Sequence, residues 1–126
     1  MPGVAREWRS VDEILRLMAE LPEFLGREVP GVNDSGGFGN GPLKIAAVWG
    51  DSRAIELLVS SGAKLDCQHE DGYTALHHAV SQGNLDAAAT LLRLGASANV
   101  KDNFGHLAED YAETPELLAL FKNGTA

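Results

Sequence analysis

Hydrophobic residues recur at helical spacing in several short segments, and the clearest segment runs from residue 75 to residue 94. Apolar side chains there fall three or four positions apart, which is typical of one buried helix face. A first set contains Ala75, Leu76, Ala79 and Val80, and a second contains Leu85, Ala88, Ala89, Leu91 and Leu92. Gly83 and Gly95 follow these sets, and glycine favours the left-handed geometry of helix ends. The pattern predicts two short helices joined by a tight turn.

A period of 33 residues relates this segment to the rest of the chain. The matched sets are Gly39, Gly72 and Gly105; Ala46, Ala79 and Ala112; Gly50 and Gly83; and Gly62-Ala63 and Gly95-Ala96. A fixed period of this length is typical of a stacked array of structural repeats. Neither helix of a pair can bury its apolar face within one repeat, so each repeat needs neighbours.

Residues 71–79, Asp-Gly-Tyr-Thr-Ala-Leu-His-His-Ala, followed by Gly83, Leu91-Leu92 and Gly95-Ala96, resemble the ankyrin repeat family. The loose pattern of that family is G-x-T-[PA]-L-H-x-A, a glycine after the first helix, L-L before the loop, and then G-A. The resemblance implies an all-α, ankyrin-repeat solenoid of stacked helix-turn-helix units with hairpin-like connecting turns. It also implies a noncatalytic module for protein–protein interaction.

Several residues of the middle repeat are expected to have structural roles. Thr74 precedes the first helix, where its hydroxyl can accept from an amide of the first turn, and Asn84 and Asp86 lie where the second helix can be capped. The resemblance implies a structural His77 bonded to Thr74 and nearby backbone. The other structural positions are Leu76 on the buried face and the turn glycines Gly72, Gly83 and Gly95.

The chain of 126 residues is expected to form one domain that buries about two-thirds of its unfolded surface. The period divides it into a degenerate N-terminal capping repeat at 10–33, repeats at 36–68 and 69–101, and a degenerate C-terminal capping repeat at 102–126. Residues 10–33 lack the motif of the repeat, so an unrelated helical appendage is the alternative there.

The N-terminal unit contains its own helix signals. Ser10 and Glu13 have the spacing of a capping box, and Pro22 ends the first helix and begins a second that reaches about Arg27. The apolar stripe of the first helix is Val11, Ile14, Leu15, Met18 and Leu21.

Residues 30–42 hold five of the chain's 14 glycines, a composition that favours a flexible linker. The period instead makes residues 34–41 the turn before the first repeat, with Gly39 at the tight-turn position. A phosphate-binding loop would need a preceding strand and a Lys-Ser/Thr ending, and both are missing from the sequence.

The two flanking repeats depart from the pattern. Gly41 replaces the capping Thr and Lys44 replaces the His, so we expect lower local stability at the first turn. Leu107 replaces the Thr and Glu109 replaces the buried Leu of the last repeat, which suits a terminal unit with a solvent-facing side. A closing helix is predicted over residues 115–121.

Charge and cysteine content narrow the function classes. A net charge of −8 disfavours nucleic acid and anionic membranes, because both would be repelled, and it favours a basic or neutral protein partner. Cys67 is the single cysteine, which suits a reducing compartment. The sequence has no signal-peptide core or membrane-spanning run, so we expect a soluble, cytoplasmic protein and a monomer.

No catalytic, cofactor-binding or metal-binding residues are expected. His77 and His78 are adjacent, so their side chains diverge by about 100° on a helix and cannot chelate one metal together. A surface metal site at His69 and His106 is the alternative, since both fall in loops that are expected to face the same side. No Ser/His/Asp set has a nucleophile turn.

The resemblance places partner binding on a concave strip of turn tips and first helices. The expected residues are Phe38, Asn40, Val48, Trp49, Glu70, Asp71, Tyr73, Ser81, Gln82, Asn103, Phe104 and His106. Four of them are aromatic, and aromatic anchors dominate binding energy in many interfaces. Alternatively, Phe38 and Phe104 pack between adjacent turns, and only Trp49 and Tyr73 are exposed.

Three functions are compatible with the sequence. The first is the noncatalytic protein-interaction module. The second is a small acidic inhibitor or immunity-type protein that neutralises a basic enzyme, which the net charge of −8 motivates. The third is a hydrolase or transferase with a His/Asp site. Binding that weakens steeply with salt would favour the second over the first, because charge-driven association is screened.

Overall fold

The computed structural model describes Trp8 and residues 10–20, 41–68 and 72–123. The helices are α1 (Val11–Met18), α2 (Pro42–Trp49), α3 (Ser52–Ser60), α4 (Ala75–Ser81), α5 (Leu85–Arg93) and α6 (Pro115–Asn123), with a 3₁₀ helix at Ala108–Tyr111. These residues include no β-strand, and the predicted all-α fold is confirmed.

The helices stack in two rows. One row consists of α2, α4 and the 3₁₀ helix, in which α4 packs against both neighbours. We call it the first-helix row. The second-helix row consists of α3, α5 and α6, and α1 packs against α3 at its end. Each helix therefore buries its apolar side against the next repeat, as the period predicts.

The core is continuous along the stack. Large side chains with almost no exposure come from successive helices: Ile55 and Leu58, Leu76 and Val80, Leu91, and Leu117. Fully buried alanines lie between them, at Ala46, Ala47, Ala79, Ala87 and Ala88. Small side chains allow neighbouring helices to approach closely, and the short helices of the described residues pack together at these positions.

The N-terminal helix adds to this core in a way that the sequence only partly predicts. Ile14, Leu15 and Met18 are buried, as their spacing indicates. Ser10 occupies the N-cap of α1 but makes no side-chain cap hydrogen bond, so the predicted capping box is not formed. The predicted helix from Pro22 and the turn at residues 34–40 lie outside the described residues.

Trp8 is buried in the same core, a position that the sequence pattern does not predict. Its indole Nε1 donates a hydrogen bond of 2.7 Å to Asp51 Oδ2, across 43 positions of the chain. The other oxygen of Asp51 accepts from the amide of Ala54 at 3.0 Å and thereby caps α3. A single carboxylate thus joins the N-terminal segment to the start of α3.

The turn glycines repeat the period in their backbone conformation. Positive φ occurs at Gly50 and Gly83, at Gly62 and Gly95, and at Gly72 and Gly105. Gly72 is required for a second reason, because a Cβ there would lie 2.6 Å from the backbone nitrogen of Asn103. Successive turns therefore pack backbone against backbone at this point.

Asn84 has a different role from the one expected. It is the N-cap residue of α5, yet its side chain makes no cap hydrogen bond there. Its Nδ2 instead donates to the carbonyls of Ala47 at 2.9 Å and Val48 at 3.0 Å. The last carbonyls of a helix lack intrahelical partners, so Asn84 satisfies the end of α2 rather than the beginning of α5.

Leu76→Ala should lower the free energy of unfolding by about 2–5 kcal/mol, because it leaves a cavity between repeats. Leu76 is 1% exposed. Leu85→Ala is the matched control, since Leu85 is 38% exposed, and it should cost well under half as much. Urea denaturation monitored by circular dichroism measures both. Equal losses would contradict the assignment of Leu76 to the continuous core.

Trp8→Phe should lower the free energy of unfolding by about 1–2 kcal/mol, because it keeps a ring but removes the donor to the Asp51 carboxylate. The control is the same substitution in an Asp51→Ala background, where its effect should shrink markedly. If Trp8→Phe costs the same in both backgrounds, ring packing rather than the hydrogen bond holds this segment.

Candidate functional site

The candidate site is the surface formed by the turns at residues 72–74 and 101–107 together with the exposed sides of the first-helix row. We call it the first-helix surface. Gln68 ties the two turns together, because its Nε2 donates to the carbonyls of Gly72 at 2.8 Å and Lys101 at 2.7 Å. The positions of the side chains on this surface thus depend on contacts between repeats.

Thr74 and His77 fix the start of α4. The Thr74 Oγ1 accepts from the His77 amide at 3.3 Å, and the Thr74 amide donates to His77 Nδ1 at 3.2 Å. Nδ1 is thus an acceptor, and this network assigns the ring proton to Nε2. His77 Nε2 lies 3.0 Å from the carbonyl oxygen of His106, to which it donates. The buried imidazole therefore joins α4 to the following turn.

Asp102 organises that following turn. Its Oδ1 accepts from the amides of Phe104 at 2.9 Å and His106 at 3.0 Å. Its own amide donates to the His106 carbonyl at 2.9 Å, and its carbonyl accepts from Gly105 at 3.0 Å. The Tyr111 hydroxyl donates to Oδ2. Because both carboxylate oxygens and both backbone groups are used, the turn has little freedom to rearrange.

The same contacts set two ionisation states. Burial by itself would raise the pKa of the Asp102 carboxyl, but the hydrogen bonds from Tyr111, His106 and Phe104 hold it below its ordinary 3.8. The hydrogen bond to Asp102, together with burial, raises the pKa of the Tyr111 hydroxyl above its ordinary 10.0. At neutral pH, Asp102 is therefore a carboxylate and Tyr111 a neutral phenol.

Aromatic rings connect the two turns. The Tyr73 ring lies 5.5 Å from His78 and 6.0 Å from Tyr111, measured between centroids, and His106 lies 5.6 Å from Tyr111. All three pairs meet edge to face, a favourable geometry for rings. Tyr111 belongs to this site although no motif in the sequence singles it out; the 33-residue period could have indicated it, since it places Tyr111 at the position of His78.

The structure places the expected partner-binding residues in three groups. The exposed ones are Val48, Ser81, Gln82, Asn103, Phe104 and His106; Trp49 and Tyr73 are half-buried; and Phe38, Asn40, Glu70 and Asp71 lie outside the described residues.

Two of these placements change the expectations. Phe104 is 71% exposed, so the alternative in which it packs between turns is wrong. Trp49 and Tyr73 are half-buried rather than exposed, and Trp49 also packs against the hydrophobic core. Their place in the partner-binding strip stays a prediction.

Neither a metal centre nor a membrane-spanning helix is present within the described part of the chain. That part of the chain contains no group of three or more His, Cys, Asp or Glu side chains arranged to hold a metal ion. The alternative metal site at His69 and His106 stays a prediction, because His69 lies outside the described residues. No described helix is long and apolar enough to cross a membrane.

Comparisons with known proteins agree with this geometry. The family model described as ankyrin repeats, in three copies, matches residues 10–102. The ankyrin repeat domain of Bcl-3, of the IkappaB protein family, superimposes with a TM-score of 0.64 over 68% of this chain and 37% of that one, at 27% sequence identity.

Curated relatives are mostly longer proteins. The chain is 41% identical to human SH3 and multiple ankyrin repeat domains protein 2, over 71% of this chain and 5% of that protein. It is 35% identical to the probable 26S proteasome regulatory subunit p28 of Saccharomyces cerevisiae, over 82% of this chain and 46% of that protein. It is 36% identical to human protein phosphatase 1 regulatory subunit 27, over 66% of this chain and 55% of that protein. The chain thus spans about half or less of these relatives.

His77→Ala should lower the free energy of unfolding by about 1–2 kcal/mol, because it removes hydrogen bonds to Thr74 and to the His106 carbonyl. Thermal and urea denaturation measure the loss. His78→Ala, one position along α4 and half-buried, serves as the control and should cost less. Normal stability combined with the loss of an activity or a bound metal would show that His77 is not structural.

Asp102→Asn should lower the melting temperature at pH 7, and the difference from the parent should narrow in acid. Because the folded-state pKa of Asp102 lies below 3.8, its contribution is present above the unfolded-state value and is lost as pH falls through the folded-state value. Melting curves from pH 7 down to about pH 2.5 test this. The exposed Glu113→Gln is the control, and a difference that stays constant into acid would contradict the account.

Proposed function

The chain belongs to the ankyrin repeat family, and from this premise we propose that it is a noncatalytic module that binds a protein partner through the first-helix surface. Ankyrin repeats are a protein–protein interaction module, and the repeats match over residues 10–102. The protein partner would contact this chain on the first-helix surface.

The observation that carries the proposal is the exposure of Phe104 on a turn whose backbone is fixed. Phe104 is 71% exposed, although its amide is held by the Asp102 carboxylate. Because the backbone of this turn is already ordered, a partner that covers the ring needs to restrict only the side-chain torsions of Phe104. Val48, 41% exposed on α2, extends apolar surface along the same row.

The polar groups of the site support binding rather than catalysis. His77 is buried, and both of its ring nitrogens are engaged by Thr74 and the His106 carbonyl. The Asp102 carboxylate is likewise occupied by amides and by Tyr111. A general base needs a free lone pair directed at a substrate, which neither group offers in this arrangement. We therefore propose no catalytic residue and no cofactor.

The relatives' names suggest the kind of role. Two of them are called regulatory subunits, one of the 26S proteasome and one of protein phosphatase 1. By analogy we propose that this chain acts as a monomeric regulatory partner or adaptor of another protein. Its single cysteine leaves no internal disulfide to form, which suits the reducing cytoplasm.

An acidic inhibitor of a basic enzyme is the second candidate, and the net charge of −8 favours it. The two candidates differ in their dependence on salt. Association driven mainly by charge should weaken steeply as salt rises, whereas association through apolar anchors should change little. Partner affinity measured at low and high salt distinguishes them.

Val48→Arg should reduce partner binding at least about tenfold, because a bulky charge would occupy the first-helix surface. Ser60→Arg introduces the same side chain at an exposed position of the second-helix row and should leave binding unchanged. The partner is first identified by affinity capture from the source organism and mass spectrometry, and affinities are then measured with the purified proteins. If neither variant or both variants lose binding, the first-helix surface is not the specific contact.

A further inference from the structure

One carboxylate holds three of the ring-bearing residues at the end of the array. The amides of Phe104 and His106 donate to Asp102 Oδ1, and the Tyr111 hydroxyl donates to Oδ2. Tyr73 joins them through its edge-to-face contact with Tyr111 at 6.0 Å. We call Tyr73, Phe104, His106 and Tyr111 the aromatic patch. Phe104 and His106 are exposed, and the two tyrosines are half-buried.

Acidic residues outnumber basic ones in the segment that carries most of the aromatic patch. The middle of the described chain, residues 41–68 and 72–100, holds four acidic and four basic residues. Residues 101–123 hold five acidic residues, Asp102, Glu109, Asp110, Glu113 and Glu116, against Lys101 and Lys122. Asp110 accepts from the Leu107 amide at 2.9 Å, directly after the turn. The segment that carries Phe104, His106 and Tyr111 therefore has a net negative charge, whereas the middle of the described chain is balanced.

Aromatic faces and carboxylates together favour a cation. The face of an aromatic ring is the negative end of its quadrupole and attracts a cation within about 6 Å of the centroid. A guanidinium also stacks on rings and is more weakly hydrated than an ammonium, so arginine gains more than lysine on such a surface. The exposed Phe104 ring can cover the methylene groups of the same side chain. Nucleic acid is disfavoured, because its phosphates would face these carboxylates.

We infer that the aromatic patch recognises an arginine side chain in a positively charged segment of the protein partner. The guanidinium would lie against the His106 and Tyr111 rings, with its aliphatic stem against Phe104. This inference rests on the proposed function and specifies the chemistry of the partner. Two observations support it without identifying the partner: the acidic residues of this segment and the exposed Phe104 ring on a turn held by Asp102.

The test uses three synthetic heptapeptides that alternate leucine with arginine, citrulline or lysine. Citrulline keeps the planar shape of arginine but lacks its charge. In NMR titrations at pH 7.5, the arginine peptide should shift the ring signals of Phe104, His106 and Tyr111. Its Kd should be at least about fivefold lower than that of the lysine peptide and at least about tenfold lower than that of the citrulline peptide.

Two variants localise the effect. Phe104→Ala should weaken binding of the arginine peptide at least about threefold without unfolding the protein, since that side chain is 71% exposed. Leu85→Ala removes another exposed apolar side chain, beyond the far end of α4, and should leave the affinity unchanged. Equal binding of the arginine and citrulline peptides, equal binding of the arginine and lysine peptides, or shifts centred elsewhere would overturn the inference.

Failure of this inference is distinguishable from failure of the proposed function. If Val48→Arg abolishes binding of the natural partner while Phe104→Ala leaves it intact, the first-helix surface is the interface. In that case the aromatic patch does not recognise the partner. If neither change affects the partner, the proposed function itself is wrong. Loss of partner binding in Phe104→Ala, combined with arginine-selective peptide shifts, supports both.

Discussion

The hydrogen bond from His77 Nε2 to the carbonyl of His106 is the polar contact that joins the described turns of neighbouring repeats. In a stacked array each repeat contacts only its neighbours, so stability depends on the interfaces between adjacent repeats. One ring nitrogen of the buried His77 contacts Thr74 within the same repeat, and the other donates to the His106 carbonyl in the next repeat. The same carbonyl also accepts from the Asp102 amide, so one oxygen links the start of α4 to the whole turn at residues 102–106.

As a result, some polar side chains at these turns hold the structure together, and other side chains remain exposed for a partner to bind. Burial makes an unpaired imidazole or carboxylate costly, so His77 and Asp102 are surrounded by hydrogen-bond partners. Satisfying them fixes the backbone of the turn and leaves the Phe104 side chain in solvent. The buried histidine and aspartate, two residue types that acid-base sites use, are thereby the scaffold of a surface. That surface exposes apolar and aromatic side chains beside polar ones.

The outer parts of the array are held by contacts of another kind. The first repeat lacks the Thr–His pair, since Gly41 and Lys44 occupy those positions, and Lys44 is buried there. At the C-terminal end of α2, the Asn84 side chain of the next repeat donates to two carbonyls of that helix. Trp8 and Asp51 tie the N-terminal segment to α3. Both contacts act at helix termini, since Asn84 binds carbonyls at the end of α2 and Asp51 caps the start of α3.

The sequence by itself determined the period and the helix positions in the middle repeat, because both depend on local spacing and on residues that recur every 33 positions. Its resemblance to the ankyrin repeat family implied the all-α class and the bond between Thr74 and His77. Only the tertiary structure decided that Trp8 is buried, that Asn84 binds α2 instead of capping α5, and that Phe104 is exposed while Trp49 packs on the core. The reason is physical: exposure and hydrogen-bond partners are set by which surfaces a neighbouring repeat covers, and contacts such as that of Trp8 with Asp51 occur once and carry no periodic signal.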